Sequence, residues 1–318
     1  MRVLITGATG FLGSRLCKRM VADAHDVRIL FRPTSTLTSL EGLQVTPVIG
    51  DVTDVESVRR AVRDRDCVVH AAADTNYWRQ DPERQMRVNV EGTRNVAQAC
   101  RVERVARLLH VSSVAAVGIP TDPAQPASEE FQFNLQNSGL IYHLSKRRAE
   151  DEVMEETKRG LGAVIVNPAS VTGPQRIAGL IASARRAYLV PCFSGGNCVV
   201  DVSDVVQGIA SAMERGRVGE RYILGGENLT FRAMAEKAAA ALNLSRRFVS
   251  IPPALTGLAA AVWEPWARWR NRPPKFAYMV HYCANRFMFY DSGKARRELN
   301  YEPRDFDAML REALSSRS

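Results

Sequence analysis

The segment TGATGFLG at residues 6–13, directly behind the apolar run Val3-Leu4-Ile5, constrains this chain more than any other. Gly7, Gly10 and Gly13 recur at intervals of three where a buried strand has to turn into a helix starting near Phe11. Gly7 permits the tight turn, Gly10 lets the backbone approach a pyrophosphate, and Gly13 lets the helix pack closely on the sheet. The helix N-terminus then offers unpaired N–H groups and the positive end of its dipole to an anion. Three glycines can also serve an ordinary strand-to-helix turn, so the motif needs its context. Residues 2–5 before it and the periodic Phe11, Leu12, Leu16 and Met20 after it supply that context.

Downstream, apolar runs alternate with helical patterns, the rhythm of an α/β Rossmann fold with a doubly wound parallel sheet. The pattern predicts strands at 2–6, 27–31, 45–49, 67–70, 105–111 and 162–167, and helices at 11–22, 54–64, 83–100 and 138–159. A ligand crevice then lies at the carboxyl ends of the strands. From about residue 168, Gly, Pro and short amphipathic segments replace the repeating rhythm. We therefore expect a dinucleotide-binding Rossmann domain over 1–167, rejoined by a return segment at about 200–224, and a smaller, mainly substrate-binding domain over 168–318. At 318 residues, 46% of them hydrophobic, the chain can bury such a core.

Tyr142 and Lys146 lie four apart in Tyr142-His143-Leu144-Ser145-Lys146, so a helix projects both from one face. A nearby ammonium favours phenolate, which a phenol with a free pKa of about 10 needs in order to act as acid or base near neutrality. A surface helix can also carry this pair by chance. Ser112-Ser113 closes the apolar run Leu108 to Val111 at the same end of a predicted strand, where a hydroxyl can hold a substrate oxygen beside the phenol.

Over essentially its whole length the chain resembles an extended short-chain dehydrogenase/reductase, of the NAD-dependent epimerase/dehydratase superfamily. Within it, the chain is most similar to the dihydroflavonol-reductase, 3β-hydroxysteroid-dehydrogenase and hopanoid-associated sugar-epimerase branch. The matching residues are TGATGFLG, Gly50-Asp51-Val52, His70-Ala71-Ala72-Ala73, Asn89-Val90-Glu91-Gly92-Thr93-Arg94-Asn95, Ser112-Ser113, Tyr142 with Lys146, Asn167-Pro168, and GERYILGGENLT at 219–230. The resemblance implies a catalytic Ser113-Tyr142-Lys146 triad and a nicotinamide cofactor whose ribose touches Tyr142 and Lys146. Candidate cofactor contacts are Gly7, Thr9, Gly10, Phe11, Leu12, Gly13, Arg32, Asp51, Val52, Ala71, Ala72, Ala73, Asn89, Tyr142, Lys146 and Pro168. Asp51 resembles the family's adenine-edge contact and can equally cap a turn, while Ala71, Ala72 and Ala73 leave room for a dinucleotide across the strand end.

The second strand ends at Leu30-Phe31-Arg32-Pro33 with no acid to grip a ribose, and an arginine there suits a 2′-phosphate. NADP is favoured over NAD, with Arg32 as a solvated loop charge the competing reading. Sugar-nucleotide dehydratases of the superfamily carry an acidic pair beside the catalytic hydroxyl, but Val114-Ala115-Ala116 follows Ser113. UDP-sugar epimerases carry a diphosphate-binding arginine where our alignment puts Asn197, ahead of Val199-Val200-Asp201-Val202-Ser203-Asp204. Asn167-Pro168 does resemble the epimerase pattern. The expectation is an NAD(P)-dependent oxidoreductase acting on a ketone or hydroxyl of a fairly apolar, steroid-like, polyketide or lipid substrate. The alternatives are a nucleotide-sugar epimerase working through a transient keto intermediate, and a non-enzymatic NADP-sensing regulator. Loops at 74–80, 114–139 and 174–198 would set specificity.

The net charge of +9 comes from 43 basic and 34 acidic residues, and the arginines are scattered without interleaved aromatics. Nucleic acid is not an expected partner. Cysteines 17, 67, 100, 192, 198 and 283 show no metal-ligand spacing, so reduced, buried thiols and no metal are expected. With no basic-then-apolar leader and no apolar stretch of the ~20 residues a span requires, a cytoplasmic location is expected. Residues 251–270, IPPALTGLAAAVWEPWARWR, place Trp263, Trp266 and Trp269 beside Leu255, Leu258 and Val262. They form either an amphipathic helix packed on the substrate domain or a lip touching membrane or a greasy substrate, with Arg268, Arg270 and Arg272 suited to anionic headgroups. The aromatic stretch at 287–290 agrees with the second. A homodimer is the other partner considered.

Overall fold

The computed structural model describes residues 1–75, 81–186, 188–270 and 278–315, and for Arg268 the backbone alone. In the first half, strands β1 (Arg2–Thr6), β2 (Asp26–Phe31), β3 (Val45–Ile49), β4 (Cys67–His70), β5 (Arg107–Val111) and β6 (Ala163–Pro168) alternate with helices. These are α1 (Phe11–Ala22), α2 (Val55–Val62), α3 (Pro82–Met86), α4 (Gly92–Val102) and α5 (Ile141–Lys158). The second half runs β7 (Ser170–Thr172), α6 (Pro174–Arg186), β8 (Leu189–Cys192), β9 (Gly196–Asp201), α7 (Val202–Arg215), β10 (Arg221–Leu224), β11 (Glu227–Thr230) and α8 (Phe231–Ala240). It closes with β12 (Arg247–Ser250), α9 (Pro253–Trp269), α10 (Tyr278–Ala284), β13 (Phe287–Met288), α11 (Gly293–Leu299) and α12 (Phe306–Ser315).

The main sheet has seven parallel strands in the order β3-β2-β1-β4-β5-β6-β10. The inner strands β1, β4, β5 and β6 read as near-continuous apolar runs because both their faces are covered, whereas the edge strand β3 is largely exposed. Val3, Ile5, Leu109, Val111, Val164 and Val166 belong to the core on the face shared by α1 and α7, while Leu4, Val68, Leu108, Ala163 and Ile165 belong to the core under α2, α4 and α5. The strand order reverses between β1 and β4, which opens a crevice at the carboxyl ends there. β10 comes from the region after residue 200 and pairs with β6, Arg221 opposite Ile165.

A second sheet is built on β9, which pairs antiparallel with β11 and parallel with β7 and β13, and a two-stranded piece joins β8 to β12. Behind it, α6, α8 and α12 bury Ile177, Ile181, Met234, Phe306 and Leu310. Residues Asp201 and Asp204, at the start of α7, are taken up by one side chain: Arg304 reaches Asp201 at 2.6 Å and Asp204 at 3.0 Å.

The helix expected over 83–100 runs unbroken from α3 into α4, with a π-helical turn over Arg87–Glu91 in its middle. The hydroxyl of Thr93 donates to the Asn89 carbonyl at 2.7 Å, competing for a helical acceptor. Gly92 lies so close to Val52 that a Cβ there would fall 2.7 Å from the valine side chain. Among the described residues, no helix is long and apolar enough to cross a membrane.

Candidate active site

The carboxyl ends of β1, β2, β4, β5 and β6 and the second sheet enclose a cleft of about 1130 Å³. At one end is the glycine turn. Gly7 has φ +73°, and a Cβ there would meet the Ala71 backbone at 2.7 Å, while one on Gly13 would meet the Gly7 carbonyl oxygen at 2.1 Å. Both positions therefore demand glycine, because any side chain would push β1 off β4 or α1 off the turn. Gly10 is the N-terminal cap residue of α1, and among the described residues no side chain takes up the open amides behind it. This bare, uncapped N-terminus in a cradle that Cβ atoms would fill fits the pyrophosphate of a dinucleotide.

Every candidate cofactor residue but one lines this cleft: Gly7, Thr9, Gly10, Phe11, Leu12, Gly13, Arg32, Asp51, Val52, Ala71, Ala72, Ala73, Tyr142, Lys146 and Pro168. Asn89 does not. It is buried behind the wall, where its side chain accepts from the Asp74 N–H at 2.7 Å and donates to the Asp74 carbonyl at 3.1 Å and to Ser145 Oγ at 2.9 Å. Both amide hydrogens and one lone pair of its carbonyl oxygen are so used, and they fix the β4 exit and α5. Asp51 both lines the cleft and holds its own turn, accepting from the N–H and hydroxyl of Thr53 at 2.9 Å each. The lining acids are Asp51 and Asp74, and Asp74 is paired with Arg84 at 3.0 Å.

Ser113, Tyr142 and Lys146 all face the cleft. Ser113 leaves β5 in extended backbone and caps a 3-10 turn over Val114–Ala116, its Oγ accepting from the Ala115 N–H at 3.2 Å. With one lone pair so used, the hydroxyl proton is left to donate. Helix α5 packs on that turn, which carries Tyr142 and Lys146 to the same strand end. Lys146 is only 2% exposed and donates from Nζ to the Val111 carbonyl at 3.1 Å. Burial pushes its ammonium down to about 8, with Glu150 one turn on acting in the opposite sense. His143, also lining the cleft, is pushed down to about 4 by burial and is neutral at neutral pH.

The opposite wall is apolar, formed by Phe193, Phe231, Met279, Val280 and Met288 with the buried Tyr290, whose hydroxyl donates to the Gly118 carbonyl at 2.8 Å. Sequence reasoning singled out only 287–290 of these. The signal for Phe193 was a lone aromatic ahead of Ser194-Gly195-Gly196, and it packs edge-to-face on Phe231 with ring centroids 5.9 Å apart. Arg176 at the start of α6, inside the expected 174–198 segment, lines the cleft as well. Of the expected specificity loops, 74–75, 114–115 and parts of 174–198 reach the cleft, while 76–80 lies outside the described residues. Cys283 is half-buried in the wall, the other five cysteines are buried, and all six are free thiols.

Helix α9 turns Thr256, Ala260, Glu264 and Ala267 inward. Its outer face carries Leu255, Leu258, Val262, Trp263, Trp266 and Trp269, with Leu258 63% and Trp269 79% exposed. The apolar face thus looks out rather than in, and α9 packs on α10, which lines the cleft. Arg270 stacks over Trp266 at 4.8 Å, while Arg272 and the side chain of Arg268 lie outside the described residues.

Comparison with known proteins places this geometry. The model of the NAD dependent epimerase/dehydratase family matches residues 3–225. Sterol demethylase protein B of Methylococcus capsulatus is 32% identical over 326 residues, covering 99% of this chain and 98% of that protein. A putative dihydroflavonol 4-reductase of Synechocystis is 30% identical over 98% of this chain and 92% of its own length. The solved structure of gox2253 superposes with a TM-score of 0.80 at 33% identity, covering 99% of this chain and 97% of that one.

Proposed function

Since the chain belongs to the NAD dependent epimerase/dehydratase family, we propose that it moves a hydride between NADP, taken in preference to NAD, and a ketone or hydroxyl on an apolar substrate. The observation that carries this reading is the meeting of Ser113, Tyr142 and Lys146 in one cleft with the uncapped glycine turn, opposite an apolar wall. The nicotinamide cofactor, when bound, supplies or accepts the hydride. Ser113 holds the substrate oxygen with its remaining hydroxyl proton, and Tyr142 gives a proton to that oxygen as it gains charge. Lys146 biases the phenol and binds the ribose hydroxyls. General acid–base help of this kind is worth ~10²–10⁴-fold, beyond the gain from positioning.

Arg32 at the end of β2 supports NADP, because no acid stands there to repel a 2′-phosphate. The nucleotide-sugar alternative loses ground at two residues. Asn167 spends both amide hydrogens inside the protein, on Glu150 at 2.6 Å and the Ser113 carbonyl at 2.9 Å, so none is left for a diphosphate. Asn197, not an arginine, lines the cleft ahead of Val199. The outward apolar face of α9 fits contact with a lipid surface, from which an apolar substrate reaches the neighbouring α10.

The test is a hydride-transfer screen with NADPH over ketones of graded polarity, run beside cofactor analysis of the purified protein. A reductase exchanges cofactor every turnover and prefers the apolar ketones, and Tyr142→Phe keeps cofactor binding while turnover falls by about two orders of magnitude or more. Tightly retained cofactor with interconversion of nucleotide sugars would assign the epimerase reaction. NADP binding with no turnover of any substrate would assign the sensor.

A further inference from the structure

We infer that Glu150, Asn167 and Arg221 form a positioning unit that pins the Ser113 main chain to the returning strand β10 and sets a buried carboxylate one helical turn from Lys146, an inference that rests on the hydride-transfer reading above. Glu150 is fully buried. A carboxylate there is costly unless paired and hydrogen-bonded. One of its oxygens accepts from Asn167 Nδ2 at 2.6 Å, and the other is paired with the Arg221 guanidinium. The second hydrogen of the Asn167 amide goes to the Ser113 carbonyl at 2.9 Å. The backbone that carries the Ser113 hydroxyl is therefore pinned through Asn167 to a carboxylate, and through that carboxylate to β10.

The same carboxylate lies one turn of α5 beyond Lys146. Among the described residues, the titratable groups interacting with the Lys146 ammonium are Glu150 on its own helix, His70 on β4 and His110 on β5, with Tyr142 one turn before it on α5. Burial keeps both histidines neutral, so Glu150 is the negative charge that favours the ammonium against its own burial. Arg221 stands in the segment GERYILGGENLT, whose ordered match to the family is otherwise unexplained by contact with the cleft. The ion pair thus connects to the Ser113 main chain through Asn167 and places its carboxylate one turn from Lys146.

Glu150→Gln keeps an acceptor for Asn167 and removes the charge, and the double variant Glu150→Gln/Arg221→Met also removes the stranded cation, guarding against loss of folding. The probe is NMR titration of the protein carrying 13Cε-lysine. Both variants are expected to titrate Lys146 lower than the parent by about half a pH unit or more, since the charge that favoured the protonated form is gone. The alkaline limb of kcat/KM moves down with it. Asn167→Ala is expected to leave the Lys146 titration in place and to lower kcat about tenfold at unchanged KM for cofactor, a split that follows from a displaced Ser113. An unmoved Lys146 resonance in both variants, or full kcat in Asn167→Ala, would overturn the unit and leave a core ion pair. The titration needs no turnover, so a parent that reduces no ketone would sink the functional reading while the Lys146 result still decides this one.

Discussion

Arg32 is the residue on which cofactor choice turns. It is exposed where β2 runs out into the cleft, and Ser35 lines the cleft beside it. Arg32→Ala is expected to weaken NADP(H) roughly ten- to a hundredfold while NAD(H) changes little, because a charge-assisted contact of about 1.5–3 kcal/mol exists only with the 2′-phosphate. Equal losses in titrations of the two cofactors would make the guanidinium a solvated charge. The placement of Gly7, Gly13, Tyr142 and Lys146 at one cleft was legible in the sequence because residue type and spacing carry it. Asn89 was not, since its family match says nothing of which way it points, and the fold turns it toward Asp74 and Ser145. Glu150, Asn167 and Arg221 were equally opaque, because their meeting needs α5, β6 and β10 assembled.

At the scale of elements, α9 separates two outcomes that periodicity could not. Its apolar and small positions fall on every side, and only the assembled protein reveals that Thr256 and Glu264 go in while the indoles stay out. Replacing Trp266 and Trp269 together by Gln is expected to leave the melting temperature within a few degrees and to abolish sedimentation with anionic vesicles. Truncating two core aromatics would instead cost about 3–5 kcal/mol each, and a melt far below the parent would remove the lipid-contact reading. A parent that sediments as a dimer, dissociated by the same substitutions, would assign the face to a second copy. The six strands of the first half were readable within two residues, most plainly β1, β4, β5 and β6, which are buried on both faces and continuous in sequence, while the edge strand β3 showed only as a short β-branched run. The short strands from β7 onward were not, because β9 gathers partners from far along the chain and no local pattern announces such pairing.

For the molecule as a whole, three buried histidines, His70 on β4, His110 on β5 and His143 on α5, contribute to how stability depends on pH. His70, hydrogen-bonded between Thr6 and Thr93 at 2.7 and 2.9 Å, is pushed down to about 3 by burial, His143 to about 4, and His110 well down. Unfolded histidine takes up a proton near pH 6.5, so below that value the unfolded chain binds protons the folded one refuses, and folding loses ground. Stability from this source is full above about pH 6.5 and falls as pH drops toward the folded values, by up to ~1.4 kcal/mol per pH unit for each histidine. Denaturant midpoints at pH 7.5, 6.5 and 5.5 are expected to decline across the last interval, and less steeply in His110→Leu. Constant midpoints down to pH 5.5 would show that these histidines accept protons when folded. The return of β10 to pair with β6 has its own consequence, for the order of events during synthesis. Until residue 224 has left the ribosome, β6 remains an open edge, its backbone groups waiting for a partner made only after the second sheet has begun to form. The nascent first half is thus most exposed to sticking to other chains while β7 to β9 are being translated, and a chaperone would find its client in that interval.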